Sequence, residues 1–120
     1  MGRAMTATEV PMVYGPAREG GFVAVALGHS IATEAETLDE LRGNAHEAAE
    51  CHLGRPVAIR LMTWADLLTQ RIAESGLSTT GFAERVLIRE SRTIYRWLAG
   101  QVIPRRVRNW LAAPEEHPWP

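Results

Sequence analysis

The stretch that most constrains this chain is FAERVLIRESRTIYRWLAGQVIP, at residues 82–104. Its helical pattern breaks over residues 87–90, resumes immediately afterwards and stops at Gly100, shortly before a proline. In the resumed segment, apolar residues recur at helical spacing on one side and polar residues occupy the other. The apolar side holds Ile94, Trp97 and Leu98, and the polar side holds Ser91, Arg92, Tyr95 and Arg96. A short helix of this kind can lie in the major groove of DNA and reach base edges.

A surface helix with a solvated face has the same pattern, and two arginines alone would favour that simpler interpretation. The flanking segments favour a helix-turn-helix instead. Ser78 is the expected N-cap of a preceding helix over residues 79–86, and Pro104 opens a further basic helix. We therefore predict an all-α DNA-binding domain over residues 63–113. Its predicted DNA-binding residues are Ser78, Thr79, Arg89, Ser91, Arg92, Thr93, Tyr95, Arg96, Arg105, Arg106 and Arg108.

Residues 77–111 resemble the helix-turn-helix of the Cro/repressor or XRE type. The string RTIYRWLAGQVIP is similar to the recognition helix and stop turn of bacterial and phage members of that family. The turn departs from the pattern, because the family commonly has a glycine there, whose missing Cβ allows a left-handed backbone. This chain has Leu87 and Ile88 instead, which predicts either a longer turn or a mildly strained one.

The first half of the chain predicts a small antiparallel sheet with one helix. Glycine-rich segments separate short apolar runs, and Glu19-Gly20-Gly21 is typical of a hairpin. Because Pro11 cannot donate to a sheet ladder, the first strand should begin at about Met12 or run along an edge. The first strand is predicted within the apolar run at residues 10–14, and the others lie at residues 22–27, 30–34 and 57–62, with the helix before the fourth. The resulting order is β-β-β-α-β.

The helix before the fourth strand should begin with a capping box formed by Thr37 and Glu40. Its apolar stripe is predicted to be Leu38, Leu41, Ala45, Ala48 and His52. Thr63 and Asp66 offer a second cap, which predicts that the fourth strand runs into a helix over residues 64–75 without a linker. Gly76 should end that helix. Residues 1–9 are predicted to be a loose arm and residues 114–120 a disordered tail.

The two halves carry opposite charge. Residues 1–62 contain five arginines and eight acidic residues, a net charge of −3, whereas residues 63–113 contain eight arginines and four acidic residues, a net charge of +4. Glu115 and Glu116 supply the remaining −2. Such an asymmetry is expected when each half has its own partner, and nucleic acid suits the basic half. Chance gives the same imbalance easily with so few charges.

The strand and helix order, together with two sequence segments, resembles the amino-terminal domain of HicB-type antitoxins. The segments are EGGFVAVALGHSIATEAETLDELRGNAHEAAECHL and RPVAIRL, and the resemblance covers about residues 12–62. It implies an α+β chain in which a partial ribonuclease-H-like domain precedes the helix-turn-helix. It also implies that residues 1–62 neutralise a basic HicA-type mRNA-cleaving toxin while the second domain represses the operon. The residues that we predict to bind this partner are Phe22, Val25, Glu47 and Glu50.

A different class of function fits the same pattern. The chain could be a stand-alone phage or bacterial repressor whose first domain only dimerises or senses a ligand. A homodimer or higher homo-oligomer is expected in either case, because a helical half of about fifty residues has a marginal core. Two recognition helices about 34 Å apart would then reach successive major grooves.

Several chemistries find no support in the sequence. Cys51, His52 and His46 do not share a helical face, which argues against a metal site or a cysteine nucleophile. No paired carboxylates suggest two-metal hydrolysis, so we expect no enzyme activity and no cofactor. A single cysteine and the lack of a long apolar run predict a cytoplasmic protein with no membrane partner.

Overall fold

A computed structural model of the chain describes residues 9–116. These residues form a mixed α and β structure with one four-stranded sheet and five α-helices. The chain divides into two compact units between Met62 and Thr63, which is where the charge also changes sign. Within the described residues, none of the helices combines the length and apolar character that a membrane crossing requires.

The first unit contains the sheet and one helix. Its strands are β1 (Glu9–Pro16), β2 (Phe22–Ala26), β3 (Ala32–Ala35) and β4 (Ala58–Thr63), in the spatial order β3-β2-β1-β4. β1 pairs with β2 and β2 pairs with β3, both antiparallel, as the hairpin pattern predicted. The register places Val13 opposite Val25 and Val25 opposite Ala32.

Two strand predictions need correction. β1 begins at Glu9, inside the segment predicted to be a loose arm, and it lies between β2 and β4 and so is not an edge strand. Pro11 fits there because residue pairing with β2 starts only at Met12. The proline contributes its carbonyl alone, which accepts a hydrogen bond from the Leu27 amide (2.9 Å). The third strand, β3, starts at Ala32, two residues later than predicted.

Gly21 is required where the hairpin enters β2. Its φ is +72°, and a Cβ atom there would lie 2.5 Å from the carbonyl oxygen of Ala35 on β3. Any side chain would therefore force the backbones of β2 and β3 apart.

The helix α1 (Leu38–Leu53) covers one face of the sheet. Its buried stripe is Leu41, Ala45 and Ala49, whereas Leu38 is 41% exposed and His52 is exposed. The predicted stripe was therefore wrong at its two ends. The Thr37 hydroxyl caps the helix by accepting a hydrogen bond from the Glu40 amide (3.2 Å). This bond is one half of the capping box predicted for Thr37 and Glu40. In the described part of the chain, the complete capping box is found at the next helix.

The second unit begins with α2 (Trp64–Ser75), which has the predicted bounds. Thr63 is both the last residue of β4 and the N-cap of α2, so no linker separates them. The Thr63 hydroxyl accepts from the Asp66 amide (3.1 Å), and the Asp66 carboxylate accepts from the Thr63 amide (2.9 Å). Gly76 ends the helix in a left-handed conformation, with φ of 75°.

Three further helices complete the unit: α3 (Thr79–Phe82), α4 (Ser91–Leu98) and α5 (Arg105–Ala112). Ser78 caps α3, as predicted, by accepting from the Gly81 amide (3.0 Å). α3 is shorter than predicted, because its continuation, Ala83–Leu87, is a π-helical turn. α2 packs against α3, α4 and α5, and α3 packs against α4. The predicted disordered tail starts with a turn, in which the Glu116 amide donates to Ala113 (3.0 Å); residues 1–8 and 117–120 lie outside the described residues.

The turn between α3 and α4 is strained at Ile88, which is one of the two alternatives that the sequence predicted. Ile88 has φ of 54° and ψ of 53°, and no other non-glycine residue within residues 9–116 has a positive φ. A β-branched residue in this left-handed region costs about 1–2 kcal/mol. The strain persists because the π-helical turn delivers the chain there, with the Ile88 and Arg89 amides both bonded to the Ala83 carbonyl.

We expect Ile88→Gly to raise the free energy of unfolding of the helical unit by about 0.5–1 kcal/mol, because relief of strain exceeds the added chain entropy. Ile88 is 60% exposed, so little packing is lost. Thermal melts of the full chain would measure the change. Ile88→Val, which remains β-branched, is the control and should leave the melt unchanged. A less stable glycine variant would contradict this account.

Candidate nucleic-acid interface

The helix α4 separates its apolar and polar residues completely. Ile94 is fully buried and Trp97 is 6% exposed, while Leu98 is half-buried. Arg92, Tyr95 and Arg96 are exposed on the opposite side. We call these three residues the α4 face. It offers two guanidinium forks and one phenol, groups that hydrogen-bond to phosphates and base edges.

The other predicted DNA-binding residues differ in the exposure of their side chains. Arg89, Arg105 and Arg106 are exposed near the ends of α4 and α5. The Ser78 hydroxyl caps α3. The half-buried ones are Thr79, Ser91, Thr93 and Arg108.

Arg108 has a structural environment that the sequence did not indicate. Its guanidinium carbon lies 5.7 Å from the centroid of the Trp64 ring, and its Nε atom is buried without a hydrogen-bond partner among the described residues. A guanidinium over an indole ring is an attractive cation–π arrangement. Arg108 therefore contributes to the packing of α5 against the start of α2.

Arg71 is also committed to the fold. Its Nε atom donates to the carbonyl of Leu111 on α5 (2.9 Å), and its Nη1 atom donates to the Glu74 carboxylate (2.9 Å). Hydrogen bonds from Gln70 and from Arg71 hold the pKa of Glu74 below its ordinary value. The Glu74 carboxylate thus offsets the Arg71 charge.

Glu90 is a residue of this site that the sequence reasoning missed. It is the N-cap residue of α4, yet its side chain caps no helix amide. Instead its Oε2 atom lies 3.2 Å from Nη2 of Arg92. An acid just before a basic helix face was a visible signal for it. The pair places one acceptor and one donor group at the start of the α4 face.

The four residues predicted to bind a protein partner do not form one surface. Phe22 packs on the α1 side of the sheet, with its ring 6.4 Å from that of Tyr14, whereas Val25 points to the opposite side of β2. Glu47 is exposed on α1. Glu50 is half-buried and bound, because its carboxylate lies 3.1 Å from His46 and accepts from the Val57 amide at 3.4 Å.

Beside α1, the first unit has an open cleft of about 470 Å³ that the sequence did not predict. Three carboxylates line it, and the Asn44 side chain, which also lines it, donates to the Glu34 carbonyl (3.0 Å). Within residues 9–116, no three histidine, cysteine or acidic side chains are placed to hold a metal ion together. The lining residues are Gly20, Glu34, Ala35, Glu36, Glu40, Gly43 and Asn44.

Comparison with known proteins gives one local similarity. No protein-family model matches the chain. A 34-residue segment, 28% of this chain, is 50% identical to a protein of Archaeoglobus fulgidus that carries the name UPF0150 protein. The segment covers 52% of that protein, so the chain spans about half the length of the relative it matches.

Proposed function

We propose that the second unit is a DNA-binding helix-turn-helix of the XRE type, with α4 as its recognition helix. The α4 face carries this proposal: Ile94 and Trp97 anchor the helix in the core, and Arg92, Tyr95 and Arg96 face outward from its other side. The preceding π-helical turn and the left-handed Ile88 supply the tight connection between α3 and α4. Exposed Arg105 and Arg106 on α5 would contact backbone phosphates.

We propose further that the protein is a non-enzymatic antitoxin whose first unit, a partial ribonuclease-H-like domain, binds a basic HicA-type toxin. The 34-residue similarity to a UPF0150 protein supports an assignment to antitoxins. The net charge of −3 on residues 1–62 and the acid-lined cleft complement a basic partner. The same protein would then repress its own operon, most simply as a homodimer.

The test is co-expression of the full chain with the product of the adjacent gene. We expect the chain to restore growth when that product is toxic. An Arg92→Ala/Arg96→Ala variant should restore growth equally well, because the α4 face serves DNA and not the toxin. Persistent toxicity with a chain shown to be folded by circular dichroism would defeat the antitoxin proposal and leave a stand-alone repressor.

Charge should act on the rate of the encounter with the toxin. We expect Glu47→Arg to slow association several-fold at low salt and to have less effect at high salt, because opposite potentials steer binding partners and salt screens them. Glu115→Arg, the same charge change in the second unit, is the matched control. Stopped-flow association at two salt concentrations would measure both. Equal rates for the two variants would contradict steering by α1.

A further inference from the structure

The contact between Glu90 and Arg92 is not explained by stability. The Arg92 and Glu90 side chains are 72% and 75% exposed. An ion pair at such exposure contributes about 0–1 kcal/mol, since water screens both charges. Glu90 also leaves the free amides at the start of α4 without a side-chain cap, which Ser, Thr, Asp or Asn would provide.

The position of Glu90 lowers the affinity for DNA of a protein that binds without sequence preference. It stands at the amino-terminal end of α4, the end from which recognition helices contact base edges. A carboxylate there is repelled by every phosphate that approaches the α4 face, whatever the sequence. The acid therefore lowers affinity for all DNA, unless a particular base pair compensates for it.

We propose that Glu90 is a specificity-determining residue that, together with Arg92, selects a G·C base pair; this rests on the proposed DNA-binding function. In the major groove, guanine presents two acceptors, O6 and N7, which an arginine fork binds, and cytosine presents the N4 donor, which a carboxylate binds. The observed pair offers this complement, with Nη2 of Arg92 3.2 Å from Oε2 of Glu90.

Glu90 acts on Arg92 as well as on the base. A long arginine side chain with 72% exposure samples many rotamers in the free protein. The carboxylate favours rotamers that hold the guanidinium close to the first turn of α4, and it leaves the other N–H groups of Arg92 available for guanine. Glu90 is thus a positioning residue for Arg92 and a direct acceptor for cytosine.

The experiment begins with duplexes enriched from a random-sequence pool by the full-length wild-type chain. The ratio of affinities for the enriched duplex and for random genomic DNA is then measured over a range of salt. We expect Glu90→Ala to lower that ratio about tenfold, mostly by binding random DNA more tightly, with a salt slope steeper by about one unit. When the selected G·C pair in the enriched duplex is replaced by A·T, the affinity ratio of the wild type should become equal to that of Glu90→Ala.

Two further variants separate this role from simple charge. Glu115→Ala, at an exposed acid beyond α5, should leave the ratio unchanged. In an Arg92→Ala background, Glu90→Ala should alter the ratio less than it does in the wild-type background, because the two side chains act on the same base pair. Melting curves should match the wild type, since the Glu90 side chain caps nothing.

Each outcome decides a different claim. The role of Glu90 is overturned, while DNA binding stands, if the wild type enriches a duplex and Glu90→Ala discriminates as well as the wild type. Additive effects of the Glu90 and Arg92 substitutions would overturn it too. If the wild type enriches no duplex, the proposed DNA-binding function fails, and the role of Glu90 fails with it.

Discussion

Trp97→Ala should lower the free energy of unfolding of the helical unit by about 3–5 kcal/mol. Trp97 is 6% exposed and belongs to α4, which packs against α2 and α3. Truncation removes a large apolar surface and leaves a cavity that rigid neighbours fill only in part. A unit of fewer than sixty residues has a total stability of about the same size, so the variant should be largely unfolded in this half at moderate temperature.

Tryptophan fluorescence is a selective probe for this experiment, because all four tryptophans lie beyond residue 63. Trp64 and Trp110 remain in the variant and report the same unit. Tyr95→Ala is the matched control on the opposite side of α4, where the side chain is 53% exposed, and it should shift stability by less than about 0.5 kcal/mol. Equal melts for the two variants would mean that Trp97 does not anchor α4.

Arg92→Ala and Arg96→Ala should each weaken binding to a selected DNA site, and at least one should relax base preference by about 1–3 kcal/mol. Arginine forks on the α4 face can bind base edges, and alanine removes both the hydrogen bonds and the charge. Fold is not at stake, since both side chains are exposed. Gel-shift titrations against the selected duplex and against duplexes with single base changes would measure the loss and its sequence dependence.

Arg105→Ala and Arg106→Ala are the controls for that experiment. These arginines are exposed in the first turn of α5, where phosphate contact is expected. Each should weaken binding to all sequences alike and lower the salt slope by about one unit. Unchanged affinity in both the Arg92 and the Arg96 variant would sink the assignment of α4 as a recognition helix.

Elements whose cause is local could be predicted from the sequence closely. The bounds of α2, its capping box at Thr63 and Asp66 and its stop at Gly76 agree with the prediction. The Ser78 cap and the start of α4 at Ser91 do so as well. Each depends on hydrogen bonds spanning three or four residues, or on helical periodicity, both of which can be read from a short window.

Elements that depend on distant neighbours were predicted less well. β1 was expected to begin at about Met12 or to run along an edge, because Pro11 cannot donate a hydrogen bond. It begins at Glu9, and the sheet places β4 beside it. The buried stripe of α1 includes Ala49 and leaves out Leu38 and His52, since the sheet beneath fixes how the helix is rotated. A local pattern of apolar residues leaves both of these choices open.

By itself, the sequence determined the order of strands and helices, the ends of α2, the division into an acidic and a basic half, and the two-sided character of α4. Only the tertiary structure decided which charges remain available. Arg71 is held by Leu111, forty residues away, Arg108 lies on Trp64, and Glu90 turns from the helix amides to Arg92. The physical reason is that the sequence offers each charged side chain several possible partners, and the packing of the chain brings only some of them within hydrogen-bonding distance.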